Sequence, residues 1–107
     1  MKIDLELLNY YEKVEQAPQE LYNNVDDMFD IFLEKQKINP SDTQLNIQKQ
    51  LKKKHIKIYR EEYPSKFLEE FIIKKHNKVI CKIQIDFNKM EAKTVYYEWE
   101  NNTNSSY

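Results

Sequence analysis

Glycine is absent from these 107 residues. Loops that wrap a phosphate in bare backbone amides need glycine, as do most turns of positive φ, so Walker-type and Rossmann-type nucleotide loops are excluded. Cysteine occurs once, at Cys81, which rules out an internal disulfide, and a lone thiol inside "VICKI" is expected to be a small core residue. Arginine also occurs once, as Arg60, against sixteen lysines. The side chain best suited to reading a base edge in a bidentate manner is therefore available at a single position. No run approaches the roughly 18 apolar residues of a membrane span. The opening "MKIDLELLNYYEK" carries acids where a signal peptide has an unbroken apolar stretch, so a cytoplasmic protein away from membranes is expected.

What is present describes a globular domain. Hydrophobic residues make up 40% and charged residues 33%, with Trp99, eight tyrosines and five phenylalanines, which places the chain outside the disordered class. A chain of this length buries roughly two thirds of its unfolded surface in one core. One domain over residues 1–100 is expected, with the polar, aperiodic "NNTNSSY" at 101–107 as a disordered tail.

Charge is unevenly distributed. The formal total is -1. Residues 1–36 hold nine acids and three lysines, whereas residues 37–82 hold twelve bases and five acids. The chain is dipolar, and such a field orients a charged partner on approach.

Periodicity supplies the elements. Ile3, Leu7, Leu8, Tyr11 and Val14 recur at helical spacing behind Asp4, a good cap, and predict a helix over 4–16. After Pro18, the stripe Leu21, Val25, Met28, Phe29, Phe32 and Leu33 predicts a second helix over 19–36. Asn23 and Asn24 leave open a shorter helix capped by Asp26 or Asp27 after an extended segment. "NPSDTQ" is a turn cluster with Ser41 and Gln44 spaced for a capping box, which leaves open a third helix beginning there. In the basic run "KQLKKKHIKIYR" at 49–60, Ile56 and Ile58 alternate with Lys57 and Tyr59, which reads as a strand with one charged face. "VICKIQIDF" places Val79, Cys81, Ile83, Ile85 and Phe87 on one face of a half-buried antiparallel strand. It is joined by "HNK" to "FLEEFIIKK" and by "NKMEA" to "KTVYYEW", with Val95, Tyr97 and Trp99 on one face. The expected fold is α+β: two N-terminal helices packed on a mostly antiparallel meander sheet, a two-layer single domain.

Catalytic and metal chemistry find little support. Asp86, Glu91 and Lys93 form a D…ExK pattern, but the two acids sit at a hairpin end, where a solvated turn is the simpler reading. His55 and His76 are isolated in sequence, with no second ligand at metal spacing and no nucleophile beside them. No enzyme activity, cofactor or metal is expected. The basic run is a candidate DNA contact, with Arg60 as its one base reader.

Two stretches resemble a known family. "MKIDLELLNYY", followed by Pro18, is similar to the N-terminal helix of the small uracil-DNA glycosylase inhibitors of the SAUGI type. "FIIKKHNKVICKIQID", followed by "NKM", is similar to that family's central hairpin, so the resemblance covers most of residues 1–100. It implies a DNA-mimicking inhibitor, monomeric alone, that forms a 1:1 complex with uracil-DNA glycosylase and has no direct contact with nucleic acid. Such an inhibitor offers carboxylates to the basic groove of an enzyme that flips its target base, and an apolar pocket to the loop side chain that invades the stack. On this resemblance the phosphate-mimicking positions are Glu20, Asn24, Asp26, Asp27 and Asp30, and the pocket is lined by Met28, Ile31, Phe32 and Met90. The chain departs from the pattern at Asn24, where the family has a glutamate, and at Asp27, where it has a helix-capping serine. The resemblance also implies a short strand over 21–25, a second helix beginning near Asp26, and a lysine-rich strand lying at an outer edge. An inhibitor of the same fold aimed at another nucleic-acid enzyme, and a small DNA-binding protein using the lysine-rich strand, are the alternatives.

Overall fold

Asp4 accepts the amide of Leu7 at 3.1 Å and opens α1 (Leu5–Gln16), as its position before an apolar-periodic run predicts. The computed structural model describes residues 4–97. Ile3, Trp99 and the 101–107 tail, on which parts of the sequence reading fall, lie outside the described residues. Of the expected apolar stripe of α1, Val14 reaches the core and Leu7, Leu8 and Tyr11 do not. Tyr10 is fully buried and Val14 half-buried, while Leu8 stays 52% exposed and Tyr11 43%. A tyrosine wins this face because its hydroxyl finds an acceptor in Glu62 at 3.1 Å while its ring stands edge-on to Phe87 at 5.8 Å.

α2 (Gln19–Lys35) is continuous. The short strand over 21–25 and the helix beginning near Asp26 do not form. Leu21 and Val25, four apart, are 2% and 5% exposed in line with Phe32 and Leu33, so the helical stripe is extended by residues a strand would have divided between two faces. Asn23 and Asn24 sit on the solvent side and impose no break.

A third helix follows, α3 (Gln44–Lys53). Thr43 caps it by accepting the Asn46 amide at 3.2 Å; Ser41 is two residues too early and instead donates its amide to Asn39 Oδ1 at 2.9 Å. The basic run is thus divided: its first five residues finish α3, and the strand begins only at Ile56.

The strands are β1 (Ile56–Tyr63), β2 (Leu68–Lys75), β3 (Lys78–Asp86) and β4 (Glu91–Tyr96), all antiparallel in the order β1-β2-β3-β4. A single 3-10 turn, Pro64–Lys66, joins β1 to β2. The α+β meander therefore stands, with three helices on one face of the sheet in place of two. α2 crosses that face with Phe29 edge-on to Phe71 at 5.1 Å and the Lys35 ammonium 4.9 Å above the Tyr96 ring. Between helices and sheet, Phe32, Ile38, Ile73, Ile83, Ile85 and Phe87 are each at most 1% exposed.

One face needs correction, and the register settles the direction of another. The pairing of β2 with β3 shifts register between Ile73 and Lys74, which interrupts the alternation, and Ile80 packs against the core where Val79 was expected. In β4, Tyr96, Thr94 and Ala92 pair with Cys81, Ile83 and Ile85 and share their core face. Val95 pairs with Lys82, so the Val95–Tyr97 face is the outward one.

Lacking glycine, the chain puts other residues in left-handed backbone at Lys37, His55, Phe67, His76, Asn77 and Met90, with φ between 50° and 66°. Lys37 ends α2: its amide donates to Glu34 O and that of Ile38 to Leu33 O, both at 2.9 Å, which folds Ile38 back into the core. His55 ends α3 in the same way, bonding Lys52 O at 3.0 Å. Left-handed backbone costs a residue with a Cβ about 1–2 kcal/mol, part of which glycine returns as chain entropy. Lys37→Gly should therefore stabilise the protein by about 0.5–1 kcal/mol in a urea denaturation, provided the slope of the transition is unchanged.

Candidate interaction surfaces

Carboxylates in this molecule fall into two populations. Those of the sheet are tied up, the exposed Glu91 of β4 excepted. Glu69, 6% exposed, is hydrogen-bonded by the Arg60 guanidinium, which also reaches Glu62 at 3.1 Å; Glu62 in turn accepts from Tyr10 and, at 3.4 Å, from Tyr11. On the opposite face Glu70, also 6% exposed, accepts from Gln84 and pairs with Lys82 at 3.7 Å. Asp86 accepts the amides of Asn88 and Lys89 at 2.8 and 3.0 Å, so the D…ExK pattern is turn chemistry, with Asp86 and Glu91 simply facing each other as the last rung of the β3–β4 pair. Among the described residues there is no group of three or more side chains suited to hold a metal.

The acids of α2 are uncommitted. Glu20, Asp26, Asp27, Asp30 and Glu34 are all exposed, and among the described residues none has a side-chain hydrogen bond or ion pair. Positions 20, 27, 30 and 34 recur at spacings of three, four and seven, which sets them on one side of the helix, with Asn23, Asn24 and Ile31 among them and Asp26 at the flank. No lysine or arginine interrupts the chain between Lys13 and Lys35. Five charges over the 15 residues from Glu20 to Glu34 amount to one per about 4–5 Å of helix axis, close to the roughly 3.4 Å per charge of a single DNA strand.

Of the residues expected to line an apolar pocket, Ile31 is 49% exposed within this acidic stripe and Phe32, at 1%, packs the core. Met28 and Met90 are half-buried against the core, Met90 in left-handed backbone at the start of β4. The Phe29–Phe71 and Lys35–Tyr96 contacts fix the direction of α2, and Met28 lies toward the sheet end that carries the β3–β4 turn and Met90.

β1 lies at an edge of the sheet, but it keeps Lys57 as its one lysine: the expected lysine-rich strand does not form, because Lys49, Lys52 and Lys53 belong to α3 and Lys54 to its cap, while α2 packs over β3 and β4. Arg60 is held by Glu62 and Glu69 and is not presented as a base reader. One arrangement escaped the sequence reading. His55 and His76, 21 residues apart in the chain, meet with ring centroids 4.6 Å apart, and the His76 amide donates to His55 O at 3.0 Å. Counting the β1–β2 pairing outward from Tyr63–Leu68 to Ile56–Lys75 brings these two residues opposite one another, a signal the sequence does contain. They stand on a half-open groove of about 890 Å³ between α3 and the β1–β2 edge.

Comparison with protein-family models, with curated proteins and with solved structures returns no match. Among the described residues no helix is long and apolar enough to cross a membrane.

The buried groups titrate accordingly. Burial, followed by the charge of Glu62, raises the Tyr10 hydroxyl well above the ordinary tyrosine range; the bond to Glu61 pushes Tyr63 up to about 12; burial pushes the Cys81 thiol up to about 11. A raised folded-state pKa contributes stability that is complete below the unfolded value and is lost as pH climbs past it. Stability measured by denaturation should be flat toward neutrality and fall from about pH 9 upward, less steeply beyond about pH 10 in Tyr10→Phe.

The two carboxylate populations should respond oppositely to mutation. Arg60→Ala strands the buried Glu69 and should cost about 2 kcal/mol, less than a fully buried pair because the arginine is half exposed. Asp27→Lys on α2 should change stability by less than about 0.5 kcal/mol in the same denaturation experiment.

Proposed function

We propose that this protein is a non-enzymatic inhibitor that presents α2 as a mimic of one DNA strand to the basic groove of uracil-DNA glycosylase, forming a 1:1 complex. The observation that carries the reading is the α2 stripe: five carboxylates without a partner among the described residues, at nearly the charge spacing of a nucleic-acid strand, with the exposed Ile31 among them. Charge of this kind steers and orients the encounter. The apolar surface of Ile31, with the accessible parts of Met28 and Met90, adds the burial that holds the complex. Flexible thioethers suit a surface that must accept a foreign side chain. Of the two family-like stretches, the described part of "MKIDLELLNYY" opens α1, and "FIIKKHNKVICKIQID" makes up most of the β2–β3 hairpin. Under this reading the protein works in the cytoplasm, where the lone thiol of Cys81 stays reduced.

A second reading is an inhibitor of the same design aimed at a different nucleic-acid enzyme. It is favoured by Asn24 and by the helical course of residues 21–25, which replaces the edge strand that the resemblance implies.

A uracil-excision assay separates these. At about tenfold molar excess over the glycosylase the protein should abolish excision, and the double change Asp26→Lys with Asp27→Lys should weaken inhibition at least about tenfold at low salt. Met90→Asp should weaken it with little dependence on salt. Full excision in the presence of the unmodified protein rejects the glycosylase as target; binding of immobilised protein to another DNA-processing enzyme then supports the second reading.

A further inference from the structure

The groove beside the paired histidines has a composition opposite to that of α2. Its floor is apolar, from Leu51 of α3 and Ile56 and Ile58 of β1. Lys52, Lys57 and Lys74 stand along it, and among the described residues no carboxylate lines it. At about 890 Å³ it is of the size that receives small ligands or a short chain segment.

The two rings are fixed in place by the backbone. His55 is the left-handed cap of α3, with φ 59°, and His76 opens the two-residue turn between β2 and β3, with φ 50° there and 66° at Asn77. The imidazole planes are inclined by 32° at 4.6 Å, too close for another ring to slip between them, so they form a double-layered platform whose outer faces are available. Three ammonium groups and the absence of a carboxylate repel a metal cation, and they attract an anion that also carries a flat apolar part.

We propose that this groove binds phosphate-bearing nucleobases as they occur along single-stranded nucleic acid, with the lysines on the phosphates and a base stacked on the histidine pair. Aromatic platforms flanked by lysine are the general means of holding single strands without reading their sequence. Sequence tolerance is expected here, since Arg60 is occupied by Glu62 and Glu69. The site is independent of the α2 surface, because the groove lies at the β1 edge while α2 packs over β3 and β4. It also departs from the expectation of no direct nucleic-acid contact that came with the family resemblance.

The test is fluorescence anisotropy with a labelled oligothymidine of about ten nucleotides, within the usual site size of such proteins. Binding should weaken about twentyfold between about 50 and about 200 mM salt, the slope set by three phosphate contacts on a single strand. Lys52→Glu together with Lys57→Glu, both exposed positions, should abolish binding and leave glycosylase inhibition unchanged; Asp26→Lys with Asp27→Lys should do the reverse. His55→Asn and His76→Asn, which keep a residue tolerant of left-handed backbone, should each weaken binding about tenfold through loss of stacking. Thymidine monophosphate should compete weakly, and inorganic phosphate more weakly still. No anisotropy change at low salt, equal binding by the lysine variant, or equally strong competition by polyglutamate would each overturn the assignment.

Discussion

Tyr63 pairs with Leu68 across a short 3-10 turn, and from that rung the register of β1 and β2 follows without a bulge to Ile56 and Lys75. This pairing sets Arg60 and Glu62 on the helix side of the sheet beside Glu69, where Tyr10 can reach them, and so anchors α1 by a polar contact where its leucines make few buried ones. At the far end it brings the cap of α3 against the β2–β3 turn. A slip of one residue would turn the Arg60 side chain to the other face and leave Glu69 buried without its cation. The hairpin register thus governs the attachment of the first helix, the neutralisation of the sheet and the meeting of the two histidines.

Electrostatics in this small domain is organised by what the fold has already satisfied. Four glutamates of the sheet region, Glu61, Glu62, Glu69 and Glu70, have partners within the molecule. Those of α2 have none among the described residues. Burial makes Glu69 and Glu70 costly to leave unpaired, whereas the acids of α2 stay exposed to water. The distinction is invisible in the net charge, which is close to zero.

Much of this was legible in the chain. The Asp4 cap, the helical stripe of α2, the turn at "HNK" and the alternation of Ile83, Ile85 and Phe87 are local signals, and the corresponding elements formed. What failed depended on partners distant in sequence. Which face of α1 is buried was decided by Glu62, 52 residues away from Tyr10. The outward face of β4 was fixed by its register with β3, and "KQLKKKHIKIYR" divided between helix and strand because Thr43, not Ser41, capped α3. The strand implied at 21–25 gave way to periodicity, since Leu21 and Val25 bury on one side only as a helix. For the candidate surfaces, the exposed acids could be read from spacing, whereas the histidine pair needed the strand register.

The separation of charge has a colloidal consequence. With acids along α2 and lysines on α3 beside the β1 edge, the molecule remains a strong dipole at its isoelectric pH of about 6.1, where net repulsion between copies vanishes. Neighbouring molecules then attract edge to helix, in a head-to-tail sense that does not close on itself. Such a protein is least soluble in dilute buffer near that pH and dissolves on adding salt, because small ions shield each pole from the opposite pole of the next copy.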